Sequence, residues 1–444
     1  MKELMDTYDK TGDGTLQLDE FVTAVDEFPQ DFFTGYPSTP GFEAGEFDKL
    51  SSWTQTTTSN RPIVAEYKPD DLWLWTKWEG SIKQMTWKAT FAIMAWGLIV
   101  NMYAYHHYST DVIGSVENVA WYSSEIRHSD DALIEFLMSI SKFWEYCLTL
   151  GIFTLSFFVN EAYGHWKRVY FSTRAIQGRI NDLAMLVTAG AARSNVDGVT
   201  GYQSTSINSQ KLVNDVTRML RLSHAFFWAA TPTATRGLVE FKPLSNEFDA
   251  KQIGPKLLSR EGLEALVRYK QLSQQEMNAL IDMKLSPSQY FYVLLEWAMI
   301  RSLTALRSGE LIGGTGLEDN ILRQFTQLRG EYANIGDYST GRMPLAYMIA
   351  VEIIVDILVL LSPLALFCSM GALSIPAAGL FTLFFKGLLN LSKSFLDTFG
   401  IEGYSLHNVR VDVLVSEVNF ATSQRWVTAG DMLPSQTPAH DKID

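Results

Sequence analysis

Met343–Phe367 reads MPLAYMIAVEIIVDILVLLSPLALF. This run exceeds the ~20 apolar residues that a helix needs to cross a bilayer. Its only charges, Glu352 and Asp356, stand four residues apart on one helix face. Working outward, Trp87–Tyr105 (WKATFAIMAWGLIVNMYAY) carries a single charge, Lys88, at its edge. Its length, at ~1.5 Å per residue, comes to about 28 Å, close to the ~30 Å hydrocarbon core. Trp73, Trp75, Trp78 and Trp87 precede or open it, and indole rings favour the lipid–water boundary. The competing reading is a buried helix of a large soluble core.

A further run, Ala132–Val159, contains Glu135, Lys142 and Glu145. Charges at membrane depth face a bundle interior or a water-filled path, and Lys142 and Glu145 have the i,i+3 spacing of a helical ion pair. Tyr290–Ile300 is a shorter candidate carrying Glu296, and Ile375–Leu391, with Pro376 near its start, either completes the set of spans or lies at the interface. The segment 161–290 has 16 Lys and Arg against 10 acids beyond Glu161, whereas 106–131 has one Arg against five acids. The positive-inside tendency puts the longer segment on the cytosolic or equivalent side. Two-residue alternation is scarce, so the expected fold is all-α.

Composition excludes several classes. The chain has 444 residues, 47% hydrophobic and 19% charged, too apolar for a wholly disordered chain. Its two cysteines, Cys147 and Cys368, lie inside apolar runs and make no disulfide framework. A net charge of −13 argues against a nucleic-acid partner, which needs a basic stripe. Most of that charge sits in residues 1–70, with 14 acids against five Lys and Arg.

Part of this acidity is a cation loop. Asp9–Glu20 reads DKTGDGTLQLDE, which resembles an EF-hand. Calcium takes six to eight oxygens at ~2.3–2.6 Å. Asp9, Thr11, Asp13, the Thr15 carbonyl, Gln17 through a water, and Glu20 with two oxygens supply them, while Gly14 permits the turn. Apolar residues flank the loop on both sides, giving an EF-hand over 1–28. Thr11 replaces the usual acid and removes one charge, which lowers affinity; a degenerate, metal-free loop is the alternative. Residues 29–70, rich in Pro, Gly and Thr, read as a linker.

Several pieces carry a wider resemblance, in order: WEGSIK at 78–83, LGIFTLSFFVNEAYGHW at 150–166, RINDLAMLV at 179–187, RMPLAYMIAVE at 342–352 and FKGLLNLSKSFLDTFGIEGYSLHNVRVDVLVSEVN at 385–419. Together they resemble the bestrophin family of anion channels, closest in flavour to algal or protist members. The resemblance implies a homopentamer in the lipid bilayer, each subunit giving four membrane helices and a helical extramembrane body. Residues 71–420 would form this channel domain, with a polar tail at 421–444. The implied permeant ions are chloride or bicarbonate, moved passively; the EF-hand with its Ca²⁺ is, separately from the resemblance, a candidate regulatory module. It also implies an apolar pore neck at Trp144, Leu148 and Ile152. Ordinary helix packing is the competing account of that stripe.

The chain departs from the family pattern at two places. Glu145 stands about where other members have Pro. Five carboxylates beside an anion path would repel anions, so Glu145 points away, pairs with Lys142, or changes the selectivity. In the family's calcium clasp, Asp397 and Glu402 keep oxygens at matching places, but the acidic run is gone, which weakens a second calcium position. These departures leave room for an alternative function, a bestrophin-fold structural subunit of another membrane complex. Similar proteins of photosynthetic eukaryotes point to a thylakoid location. No metal-ligand histidine spacing and no nucleophile motif is present, so no enzyme is expected.

Overall fold

The computed structural model describes residues 63–64, 76–78, 80–107, 132–197, 201–231, 257–400 and 409–434. The calcium loop, with Asp9, Thr11, Asp13, Thr15, Gln17 and Glu20, the linker apart from residues 63–64, and Glu402 lie outside the described residues. The described chain is almost entirely helical, and it divides into two compact units. The stretch expected as one channel domain is thus shared between both.

The first unit holds described residues of 170–337 and 409–434 with residues 63–64. Its helices are the end of α2 (Ala132–Gly190), then α3 (Ile207–Ala230), α4 (Arg260–Arg268), α5 (Gln274–Asp282), α6 (Tyr290–Ser308) and α7 (Thr315–Thr340). Short polar side chains start three of them. Ser206, Ser259 and Ser273 each accept a backbone N–H of the first turn, and Ser273 and Glu276 complete a reciprocal capping box. Gly309, at φ 78°, ends α6 in the left-handed region that favours glycine.

Buried residues on α7 are Ile321, Phe325, Leu328, Tyr332 and Ile335, spaced alternately four and three apart. That spacing places one stripe against the core. Tyr332 meets Phe227 of α3 at 4.4 Å and Phe291 of α6 at 5.4 Å. Within the same core His224 is fully buried; its Nε2 accepts from Trp228 Nε1 at 2.9 Å, and burial holds its pKa down at about 3.

Tyr290–Ile300 is therefore not a membrane span. It opens α6, whose residues Tyr290, Phe291, Leu294, Leu295, Ala298 and Ser302 are buried on the face that packs on α3. Its length, at ~1.5 Å per residue, comes to about 16 Å, half of a bilayer core.

The described part of the C-terminal segment is folded onto this unit. Helix α10 (Val411–Phe420) continues through a wide-turned helical stretch, Ala421–Val427, into α11 (Thr428–Asp431). Strand β2 (Leu433–Pro434) then pairs antiparallel with β1 (Tyr202–Gln203). Asp431 accepts from Thr205 Oγ1 and from Gln210 Nε2, the latter at 2.9 Å.

The second unit holds described residues of 76–169 and 338–400. It contains α1 (Ile82–His107), the first two-thirds of α2, α8 (Leu345–Met370) and α9 (Ser374–Leu396). A tight turn, Gly371–Leu373, folds α9 back from α8, with Gly371 at φ 57°. The four expected apolar runs apart from Tyr290–Ile300 fall on these four helices. Two stretches, Ala132–Gly190 and Leu345–Leu396, are long and apolar enough to cross a membrane.

Helix α1 packs on α9 and α8. Buried Asn101 fastens it, its Nδ2 donating to Gly97 O at 2.8 Å and to Ser374 Oγ at 3.0 Å. Gly387 lets Ile82 approach closely: a Cβ there would meet Ile82 Cγ2 at 2.1 Å. The core between α2, α8 and α9 is Leu155, Phe158, Ala162, Val351, Val355, Val359, Leu389 and Leu396.

In the first unit Arg218 forks onto Glu276, with Nη2–Oε1 at 2.8 Å and Nη1–Oε2 at 3.0 Å. Burial pushes the Glu276 carboxyl up, but Arg218 and the Ser273 backbone N–H outweigh it and hold the pKa below its ordinary 4.5. A lowered carboxyl pKa gives stability that is complete above the unfolded value and lost as pH falls through the folded one. Glu276→Gln is expected to cost about 1–3 kcal/mol near neutral pH. Thermal melts should show that the gap to wild type closes below about pH 4.

Candidate functional site

Helix α2 rotates about 100° per residue, and its side chains sort into three faces. The inward face carries Leu137, Trp144, Gly151, Leu155, Phe158 and Ala162, all buried. Trp144 is only 6% exposed, and its Nε1 donates to Leu358 O at 2.9 Å while its ring tilts against Phe381 at 5.1 Å. Gly151 lies where Leu358 comes closest; a Cβ there would meet Leu358 Cδ1 at 2.2 Å.

A second face carries Phe143, Tyr146, Leu150 and Phe157, large apolar side chains that are all exposed. Exposed apolar groups also line the other helices of this unit, among them Phe91, Ile99, Ile353, Leu360, Leu380 and Phe384. So much contiguous apolar surface marks a membrane-embedded unit.

The third face is polar. Lys142, Glu145, Thr149, Ser156 and Asn160 are all exposed and, with Ile152, fall within about 80° of arc. Ile152 is 50% and its neighbour Phe153 69% exposed, so one apolar band interrupts the stripe. The stripe lies on the side of α2 away from the inward face. Glu145 is 13 residues from Ala132, or about 20 Å along the helix, which puts it midway along the apolar run. Among the described residues neither Glu145 nor Lys142 forms an ion pair. A carboxylate held at the bilayer centre costs about 2.5–3.5 kcal/mol on insertion scales. Facing water removes that cost.

Of the three expected neck residues, the structure places Ile152 on the stripe, leaves Leu148 half-buried at its edge and turns Trp144 inward. Trp144 is thus corrected from neck residue to internal anchor. The reason is geometric: residues four apart drift by about 40° on an ideal helix, so positions 144, 148 and 152 sweep about 80° from core to surface.

One end of the apolar run is marked by aromatic rings and cations. Tyr163 stacks on Trp166 at 6.2 Å and meets Phe395 at 5.4 Å, and Lys167 Nζ stands 4.9 Å from the Tyr163 ring. Amphipathic rings and lysines of this kind sit at headgroup level. Beside them His165, Tyr338, Ser339, Arg342 and Thr398 line a recess. Asp397, one of the two positions of the second calcium site, is fully buried next to the recess residue Thr398 in sequence. Among the described residues no group of three His, Cys, Asp or Glu is placed to hold a metal.

The carboxylates of α8 have partners that sequence reading missed. Glu352 accepts from Lys393 Nζ at 2.7 Å, and Asp356 pairs with Lys386. Two acids four apart and two lysines seven apart, on adjacent apolar helices joined by a tight turn, were the available signal.

No protein-family model matches the chain, and no curated protein matches it. Among solved structures it is similar to a bacterial Bestrophin homolog from Klebsiella pneumoniae. Two variant crystal structures of that protein align at a TM-score of 0.48, with 10% and 11% identity, over 75% and 78% of this chain and 97% and 98% of theirs. A third, phased by Zn-SAD, aligns at 0.47 with 10% identity, over 75% of this chain and 96% of its own. With scores below one half, the likeness carries no weight for function, which has to come from the chain's own helix faces.

The three faces of α2 differ in what should reach them. In a Cys147→Ser, Cys368→Ser background, single cysteines at Thr149, Ser156 and Asn160 are expected to react with a charged, membrane-impermeant thiol reagent in proteoliposomes. Cysteines at Leu155 and Phe157 should react at least tenfold more slowly, the first packed and the second in lipid. Equal rates on all three faces would contradict the assignment.

Proposed function

We propose that this protein is the subunit of an ion channel, in which copies of α2 surround a water-filled path and ions move passively along it. One observation supports this above the others: a membrane-length apolar helix carries a polar stripe on the side away from its own core. Lipid would penalise that stripe, and water relieves it. The apolar band at Ile152 and Phe153 is where such a path would be narrowest and driest, and a collar of this kind gates by losing its water.

Five copies is the number the bestrophin resemblance implies, with chloride or bicarbonate as the implied ions. Calcium binding at Asp9–Glu20 would regulate from outside the membrane unit. A chain that works instead as one structural subunit of a larger complex would carry the same fold without enclosing a path.

Purified full-length protein in liposomes is expected to give ion flux, and Ile152→Ala, which thins the apolar band, should raise it severalfold while leaving the melting temperature close to wild type. Native mass measurement in detergent should give a closed oligomer. A single copy per particle together with absent flux would overturn the channel reading.

A further inference from the structure

We infer that Glu145 sets the charge preference of the path and makes it favour cations, against the chloride or bicarbonate that the resemblance implies. The inference rests on the channel reading. Three outcomes were open for a carboxylate at this position. It could point away from the path, be cancelled by Lys142, or act on the ions.

Glu145 does not turn into the core: it is exposed and about 100° around the helix from Trp144, on the polar stripe with Thr149, Ser156 and Asn160 that the channel reading turns toward water. The second is excluded by contact: Lys142, though one turn away on the same stripe, forms no ion pair with it. What remains is a carboxylate on the outward stripe with no ion pair among the described residues, which the channel reading turns toward the path.

Its neighbours sharpen the effect. Between Glu145 and Asn160 the stripe holds only neutral groups, Thr149, Ile152, Ser156 and Asn160. Glu145 is therefore the charged residue of the stripe nearest the apolar band, about two turns or 10 Å away along the axis. Lys142 stands one turn farther out, and exposed Glu135 lies beyond it on the same side of the helix, offsetting its charge. The other mid-span carboxylates are neutralised within the subunit, Glu352 by Lys393 and Asp356 by Lys386. A ring of like charge at the entrance to a low-dielectric constriction concentrates ions of opposite sign and excludes the rest.

The test is the reversal potential of full-length protein in planar bilayers under an asymmetric KCl gradient. Wild type is expected to reverse on the potassium side of zero. Glu145→Gln should bring the reversal potential close to zero, Glu145→Lys should carry it to the chloride side, and Lys142→Gln should push it further toward potassium. A wild type that reverses at the chloride potential, or Glu145 variants that conduct with an unchanged reversal potential, would overturn the inference and leave the channel reading standing. Folded wild type with no current at all would overturn both.

Discussion

The rotational setting of α2 depends on one contact. Gly151 opens room for Leu358, and the Trp144 indole reaches the Leu358 carbonyl at 2.9 Å. Both happen on the same inward face, one by shape and one by a directional hydrogen bond. The indole N–H sits in an apolar core, where leaving it unpaired would cost about 1–3 kcal/mol. A helix has only one angular freedom about its own axis. Once Trp144 and Gly151 face inward, Glu145, Thr149, Ile152, Ser156 and Asn160 must face out, and the aromatic flank at Phe143 and Phe157 takes the remaining arc. The functional reading follows from this setting rather than from the identity of any polar residue by itself.

Much of the membrane unit was legible from composition and run length, because the hydrocarbon core imposes a minimum length of apolar helix. Trp87–Tyr105, Ala132–Val159, Met343–Phe367 and Ile375–Leu391 all fall on helices of that unit. Tyr290–Ile300 misled because a short apolar run looks the same in a soluble core as in lipid; its buried face against α3 decides between them. The neck residues show a subtler limit. An i,i+4,i+8 series looks like one face on paper, yet it drifts, and only contacts say where the core side ends. That Trp144 would turn inward depended on Leu358, distant in sequence and set by the pairing of α2 with α8.

The ion pairs of α8 and α9 show how this unit carries charge at membrane depth. The partners of Glu352 and Asp356, Lys393 and Lys386, lie beyond a tight turn and within the same subunit. Such bridges give little net stability, because desolvation opposes attraction, but separating either partner from the other is costly. They therefore fix the register of the hairpin. The contrast with Glu145 is physical: among the described residues Glu352 and Asp356 have lysine partners and Glu145 forms no ion pair.

The central claim is that copies of this helix meet across the Ile152 level. Oxidative cross-linking of Ile152→Cys in the Cys147→Ser, Cys368→Ser background, read on non-reducing gels from intact membranes, tests it most directly. The account predicts rapid disulfide-linked dimers at 152 and none from a cysteine at Phe143 on the aromatic flank. Monomer alone at 152, with cross-linking at 143 instead, would contradict it.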